Sequence, residues 1–266
     1  MQNSPTPPGP ARSSGRVEPL TPLAPRPVPR TLFRQSWREL VFLHWEADPF
    51  EVARLLPDGT VPDLYHGHAY VGLVFFRMER LAVGPAPALP HLGSFREVNV
   101  RLYSRDVLGR RGVVFRSLDC DRLLPVLAAD ALLGLAYRWS RTRSQWFDGR
   151  LLYRTRRRLR PDAAARVWVD VGDEPVTPGP LEEFLTCRWG LHGRARGRTY
   201  HLPLTHPMWT FRRCSLLDWD DSLIGAAGLT EPRDDPVGVL YAPGLPVRFG
   251  PPQALPEPRR GRRTGG

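Results

Sequence analysis

The sequence predicts a single β-rich α+β domain, and three observations predict it. Several segments alternate apolar and polar residues with a period of two, most clearly "SFREVNVRLYS" (94–104) and "ARVWVDV" (165–171). Thirty prolines and twenty-four glycines cut the chain into short pieces. Helix signals occur, but none introduces a long amphipathic run. About nine strands and three short helices follow, spanning roughly residues 31–250 as one domain.

In chain order, residues 1–30 are Pro/Ser-rich and expected to be disordered or polyproline-like. "ELVFLHW" (39–45) reads as the first strand. In "DPFEVARLLP" (48–57), Asp48 is placed to cap, Pro49 to open and Pro57 to stop a short helix. "HAYVGLVFFRMERL" (68–81) is apolar on both sides through its middle, the pattern of a central strand covered on both faces. "GSFREVNVRLY" and "GVVFRSLD" follow, joined as a hairpin by the Gly-containing "SRDVLGRRG". "LLPVLAADALLGL" (123–135) has helical composition. "FDGRLLYRT" carries an Asp-Gly turn into a strand, and "TPGPLEEFLTCRW" opens a second capped helix at Pro180. "GRTYHLPLTH", "MWTFRRCSL" and "VGVLYA" supply late strands, and residues 251–266 form a second disordered tail.

The net charge of +11 resembles a nucleic-acid signature until it is located. Residues 1–36 and 247–266 each hold five arginines against one glutamate. Most of the basicity therefore lies in Pro/Gly-rich tails, which argues against a specific nucleic-acid function. No lysine is present; all 38 basic residues are arginine. Without a side-chain amine no Schiff base forms on a side chain. Cys120, Cys187 and Cys214 are odd in number and far apart, with no CxxC pair, so they read as buried reduced thiols. The first thirty residues lack the apolar region of a signal peptide. The longest apolar run, "AYVGLVFF", is too short to span a bilayer, so a soluble, cytoplasmic protein is expected.

Several polar motifs have bland readings beside the chemical ones. His66 and His68 would share a strand face about 6.6–6.8 Å apart, but the acidic partner of a cupin-type metal site is missing, and a polar turn beside Gly67 is preferred. No metal or cofactor is expected. "DCD" (119–121) and "DWDD" (218–221) lack the glycine and terminal glutamate of a calcium loop and read as solvated carboxylates or helix caps. His206 in "THPMWTF" stands near Trp209, either as a functional imidazole or as a structural one before a proline. GxSxG, GxGxxG and GxxxxGK[ST] are absent. The strand at 94–104 is the best candidate. One face carries Glu97, Asn99 and Arg101; the other carries Val98, Val100 and Leu102. Glu97 and Arg101 lie about 13–14 Å apart along a strand, so they do not readily neutralise each other. Either this row faces water, or it lines a pocket in which Glu97 has its pKa raised by burial, with Arg77 and Arg116 as available cations.

The blocks "FLHWEADPFEVARLLPDGTVPDLYHGHAYVGLVFFRME", "LPHLGSFREVNVRLYS", "GVVFRSLDCDRL" and "PGPLEEFLTCRWGLH" resemble the YqjF-like family of uncharacterised bacterial proteins, from about residue 37 to 245. The resemblance implies a fold similar to acetoacetate decarboxylase: a large, curved, mostly antiparallel sheet or barrel around a central cavity. It also implies a register in which "FREVNV" matches the decarboxylase glutamate strand, at Glu97. "LLGLAYRW" (132–139) then falls at its lysine motif, with Tyr137 and Arg138 in place of the two lysines. Tyrosine and arginine cannot form the imine, so the cavity is expected to persist without that chemistry.

The resulting expectation is a cavity that binds a small organic acid or carbonyl metabolite. Glu97 and Tyr137 are its candidate catalytic acid/base groups. Asn99, Arg101, Arg77, Arg116, Arg138 and His206 are its candidate ligand-binding residues. If there is turnover, it is a lysine-independent lyase, hydratase or enolisation step. The alternative is a non-catalytic scaffold whose basic tails engage anionic partners.

Overall fold

The computed structural model describes residues 16–90, 93–122 and 133–256. The segment expected as a helix at 123–135 falls mostly outside them, as do residues 1–15 and 257–266 of the tails. The strands are β1 (Phe33–Ala47), β2 (Thr60–Pro62), β3 (Ala69–Val83), β4 (Phe95–Asp106), β5 (Arg111–Cys120), β6 (Tyr137–Phe147) and β7 (Arg150–Arg157). They continue with β8 (Ala164–Val176), β9 (Gly190–Ala195), β10 (Arg198–Thr205), β11 (Phe211–Asp221), β12 (Gly238–Phe249) and β13 (Gln253–Ala254). Among the described residues the helices are α1 (Pro49–Leu55), α2 (Pro180–Thr186) and α3 (Leu223–Ala226).

The helices start where the sequence offers caps. The Asp48 carboxylate accepts the Phe50 amide at 2.7 Å, with Pro49 at the first helical position of α1. Pro180 opens α2 in the same way. At α3, which the sequence reading did not foresee, Asp221 accepts the amides of Leu223 and Ile224 at 2.9 and 3.1 Å. The "DWDD" cluster therefore contains a helix cap.

Thirteen strands form one mixed sheet in the order β13-β10-β9-β5-β6-β7-β8-β11-β12-β1-β3-β4-β2. Two further pairings, β5 with β4 and β10 with β12, fold this ribbon back on itself. The result is two closed rings that share the wall β12-β1-β3-β4-β5. One ring continues through β6, β7, β8 and β11, the other through β9 and β10. Pairing is antiparallel except where β5 meets β6 and β9.

A wall shared by two rings has no solvent face, and this resolves the ambiguity of β4. Val98, Val100 and Leu102 join Val41, Leu43, Leu73 and Phe75 against Leu151, Tyr153, Val167 and Val169, filling the first ring with hydrocarbon. The alternate residues of the same strands, Phe42, Val74, Phe76, Glu97 and Asn99, point into the second ring toward Leu191 and Leu202 of β9 and β10. Burial of apolar side chains on both faces of β1, β3 and β4 supplies the main driving force for closing the rings.

Part of each expected tail lies among the described residues and packs on the domain. Residues 16–32 run along the domain: the Glu18 amide donates to Gly109 O, and Glu18 accepts from the Arg111 amide and pairs with Arg26. The Thr21 carbonyl accepts the Trp189 indole N–H at 3.0 Å. At the other end β13 pairs with β10 and Leu255 is buried.

Candidate functional site

The register of the shared wall arranges the second ring's floor in rows. His44, Gly72 and Arg101 stand across β1, β3 and β4; the next rows are Phe42–Val74–Asn99 and then Phe76–Glu97. Trp37–Met78–Phe95 and finally Phe33–Val83 follow toward the rim. Over this floor lie Phe115 and Leu118 of β5, Leu133, Leu135, Tyr137, and Leu191 and Leu202. They enclose a cavity of about 330 Å³, within the range of small-molecule sites.

Four sequence-derived candidates meet there: Glu97, Asn99, Arg101 and Tyr137. Glu97 is 2% exposed, and the Tyr137 hydroxyl donates to its Oε2 at 3.3 Å. Burial pushes the Glu97 pKa up to about 8; hydrogen bonds from Asn99 and Tyr137 oppose the rise, and the Asp119 charge adds to it. Near neutral pH Glu97 is therefore mainly a neutral acid, able to donate as well as accept. Burial, with the neighbouring Glu97, raises the Tyr137 pKa further above its ordinary value.

Asn99 is 4% exposed, and its Oδ1 has no hydrogen-bond partner among the described residues. The Trp37 indole nitrogen, on another lining residue, is likewise buried and unpartnered. Arg101 donates from Nε to the Tyr103 hydroxyl at 3.0 Å and from one terminal nitrogen to Leu185 O at 3.2 Å. Its guanidinium stands over Phe42, 5.3 Å from the ring centre. Among the described residues no carboxylate comes within ion-pair distance of it. Gly72 is what admits this side chain. A Cβ there would lie 3.0 Å from the Tyr103 hydroxyl, 3.1 Å from the His44 ring and 3.2 Å from Arg101 Cγ.

The other candidates lie elsewhere. Arg77 is on the opposite face of β3 and pairs with Glu79 and Glu39. Arg116 donates to the carbonyls of Leu55 and Ala227, at the C-terminal ends of α1 and α3. Arg138 is exposed and bonds the Tyr137 carbonyl. His206 is buried between Trp189 and Trp209, with ring centres 4.4 and 4.8 Å away, and does not line the cavity. Burial lowers its pKa to about 4, so it is neutral. His66 sits at a turn with φ of 49°, and His68 pairs with Glu46 at 3.0 Å on the surface. Asp119, expected as a solvated carboxylate, is instead fully buried against Arg157.

The sequence reading missed the cavity's apolar wall: Phe33, Trp37, Phe42, Phe76, Met78, Leu81 and Phe95 among others. Its one signal was the two-sided hydrophobicity of residues 69–76, which reports burial but not an empty interior. It also missed two polar clusters. Ser104 Oγ lies 2.8 Å from His192 Nδ1, and His192 Nε2 lies 3.4 Å from Asp106. That is the order of a hydrolase triad, but all three are buried and none lines the cavity. Asp63 gathers Arg105, Arg111 and Arg188 in a second buried hub.

Among the described residues, no helix is long and apolar enough to cross a membrane. Solved structures share the architecture. Acetoacetate decarboxylase from Legionella pneumophila matches with a TM-score of 0.59 at 16% identity, over 88% of this chain and 92% of that one. The enduracididine biosynthesis enzyme MppR complexed with pyruvate matches with 0.58 at 16% identity, over 92% and 99%. An acetoacetate decarboxylase-like enzyme from Sphingomonas wittichii matches with 0.59 at 14%, over 91% and 99%. The fold is thus acetoacetate decarboxylase-like. In sequence, the chain is 28% identical to the uncharacterized protein YqjF of Bacillus subtilis over 222 residues, 83% of this chain and 91% of that protein. The profile of the DUF2071 family, described as an uncharacterized conserved protein, matches residues 34–246, and the chain belongs to that family.

Proposed function

We propose that the second ring binds a small organic acid or carbonyl compound without forming a covalent bond to it. One observation carries the reading: among the described residues, a buried Glu97 with no cation beside it shares a cavity with Arg101, a guanidinium that meets no carboxylate. A ligand carboxylate supplies the missing counter-charge at Arg101, and a ligand carbonyl accepts from the neutral Glu97 or from Tyr137. Asn99 Oδ1, without a partner among the described residues, accepts from a ligand hydroxyl where the acid carries one. The chain has no lysine, so no side chain forms an imine with a bound carbonyl. Glu97 and Tyr137 are the acid/base groups on the cavity wall, and any proton transfer to a bound carbonyl runs through them. MppR, with the same fold, is complexed with pyruvate, which makes a small acid a reasonable first probe.

The test is a thermal-shift and calorimetric screen of 2-oxo, 3-oxo and simple carboxylic acids against the wild type, Arg101→Met and Glu97→Gln. A hit is expected to weaken tenfold or more in Arg101→Met, the range for losing a charge-assisted hydrogen bond. If no acid raises the melting temperature of the wild type, the reading is wrong.

A further inference from the structure

Ionisable groups occupy only one end of the cavity. Among the described lining residues Val83 and Leu89 are the most exposed, at 48% and 43%, while Arg101 and Phe115 at the inner end are half-buried. The wider opening therefore lies at the Phe33–Val83 row. Between Glu97 and that mouth the described lining is Phe76, Phe95, Met78, Trp37, Leu81 and their apolar neighbours, with Gln35 and the Trp37 indole N–H its polar groups. A short keto acid fills the inner end alone and leaves this wall facing water. By volume the cavity takes on the order of ten non-hydrogen atoms, at roughly 30 Å³ each. Glu97, lying between the head position and the mouth, is no obstacle to hydrocarbon, because it has no cation holding it charged.

Building on the reading above, we infer that the occupant is a monocarboxylate with an extended apolar tail. Its carboxylate sits at Arg101. Its tail runs over Phe76 and Phe95 toward the mouth framed by Phe33, Val83 and Leu89. Arg101 selects the charge, and the slot selects the hydrocarbon. The Arg101 guanidinium, which meets no carboxylate among the described residues and stands over the Phe42 ring, places the polar head at the inner end, away from Val83 and Leu89.

Isothermal titration of the full chain with straight-chain monocarboxylates from acetate to decanoate tests this, with pyruvate and the matching n-alcohols alongside. The dissociation constant is expected to fall about fourfold per added methylene until the slot is filled, and then to level off. The heat capacity change should grow more negative along the series. Leu89→Glu, at a half-exposed mouth position, should flatten the slope for the long members and leave acetate and pyruvate unchanged. If pyruvate and acetate bind as tightly as octanoate, the tail inference fails while the acid-binding reading stands. If the alcohols match the acids at every length, Arg101 is not reading a carboxylate, and both fail. Absence of binding by every acid also overturns both.

Discussion

Two buried carboxylates stand on neighbouring strands of the shared wall, on opposite faces of it, and the chain treats them differently. Asp119 of β5 pairs in register with Val98 and turns to the first ring. There it accepts from Arg157 at 2.7 and 3.1 Å and from Ser140 at 2.9 Å. Glu97 of β4 turns to the second ring and, among the described residues, has a tyrosine hydroxyl and an amide but no guanidinium. Asp119 is built as a clamp tying β5 to β6 and β7. Glu97 is left available, beside a cavity, with its charge discouraged by burial. Uncompensated burial in one ring, against complete pairing in the other, separates the proposed binding surface from a structural one.

The comparison breaks most visibly if the Asp119 clamp is opened. Arg157→Met leaves a buried carboxylate without a cation and should cost about 3–5 kcal/mol in urea unfolding. Glu97→Gln removes no ion pair. Measured at pH 5 to 6, where Glu97 is protonated in the folded state, it should change stability by less than about 1 kcal/mol. Equal losses from the two substitutions would show that Glu97 is held as an anion after all.

The pH dependence sharpens the same contrast. The Glu97 pKa rises from its ordinary 4.5 to about 8 on folding, so between those values the native state binds more protons than the unfolded chain. The stability this group contributes is full below about pH 4.5 and drains away as pH rises toward 8, by up to about 1.4 kcal/mol per pH unit. The difference in unfolding free energy between wild type and Glu97→Gln should therefore shift in favour of the variant from pH 5 to pH 8. A difference that stays flat across that window would place Glu97 in contact with water or a cation.

Much of this was legible in the sequence, but the enclosure was not. The alternation of residues 95–103 gave β4 its two faces, and the apolar middle of residues 69–76 marked a wall covered on both sides. Whether the Glu97 face met water depended on β9 and β10 closing the second ring, and β9 meets β5 through a single register pair, Val113 with Leu191. No local pattern reports such a contact. The arginines went astray for a related reason. Arg77 was chosen as a neighbour of Glu97, but Glu97 pairs with Phe76, so Arg77 falls on the other side of the sheet. β6 escaped because its buried positions include Ser140 and Thr142, which satisfy each other's surroundings through Asp119 and Thr155 rather than by hydrophobicity. The strap at residues 16–32 has no period at all; its Pro-rich chain is held by Glu18, Thr21 and a few apolar contacts.

A small effect of opposite sign is the most diagnostic. Asn99 carries a buried oxygen with no partner, an arrangement that costs on the order of 1–3 kcal/mol and that folding alone gives no reason to keep. Leucine has nearly the same shape and removes the stranded oxygen at the cost of the hydrogen bond to Glu97, and its neighbours across the wall, Val74 and Leu118, are already apolar. Asn99→Leu should therefore stabilise the protein by about 1 kcal/mol in urea unfolding while weakening any hydroxyl-bearing acid the screen finds. A gain in stability bought by a loss of binding is the signature of a residue retained for a ligand. If Asn99→Leu instead destabilises the fold and leaves ligand affinity intact, the amide is part of the wall's architecture, and the polar end of the cavity must be redrawn around Arg101 and Glu97 alone.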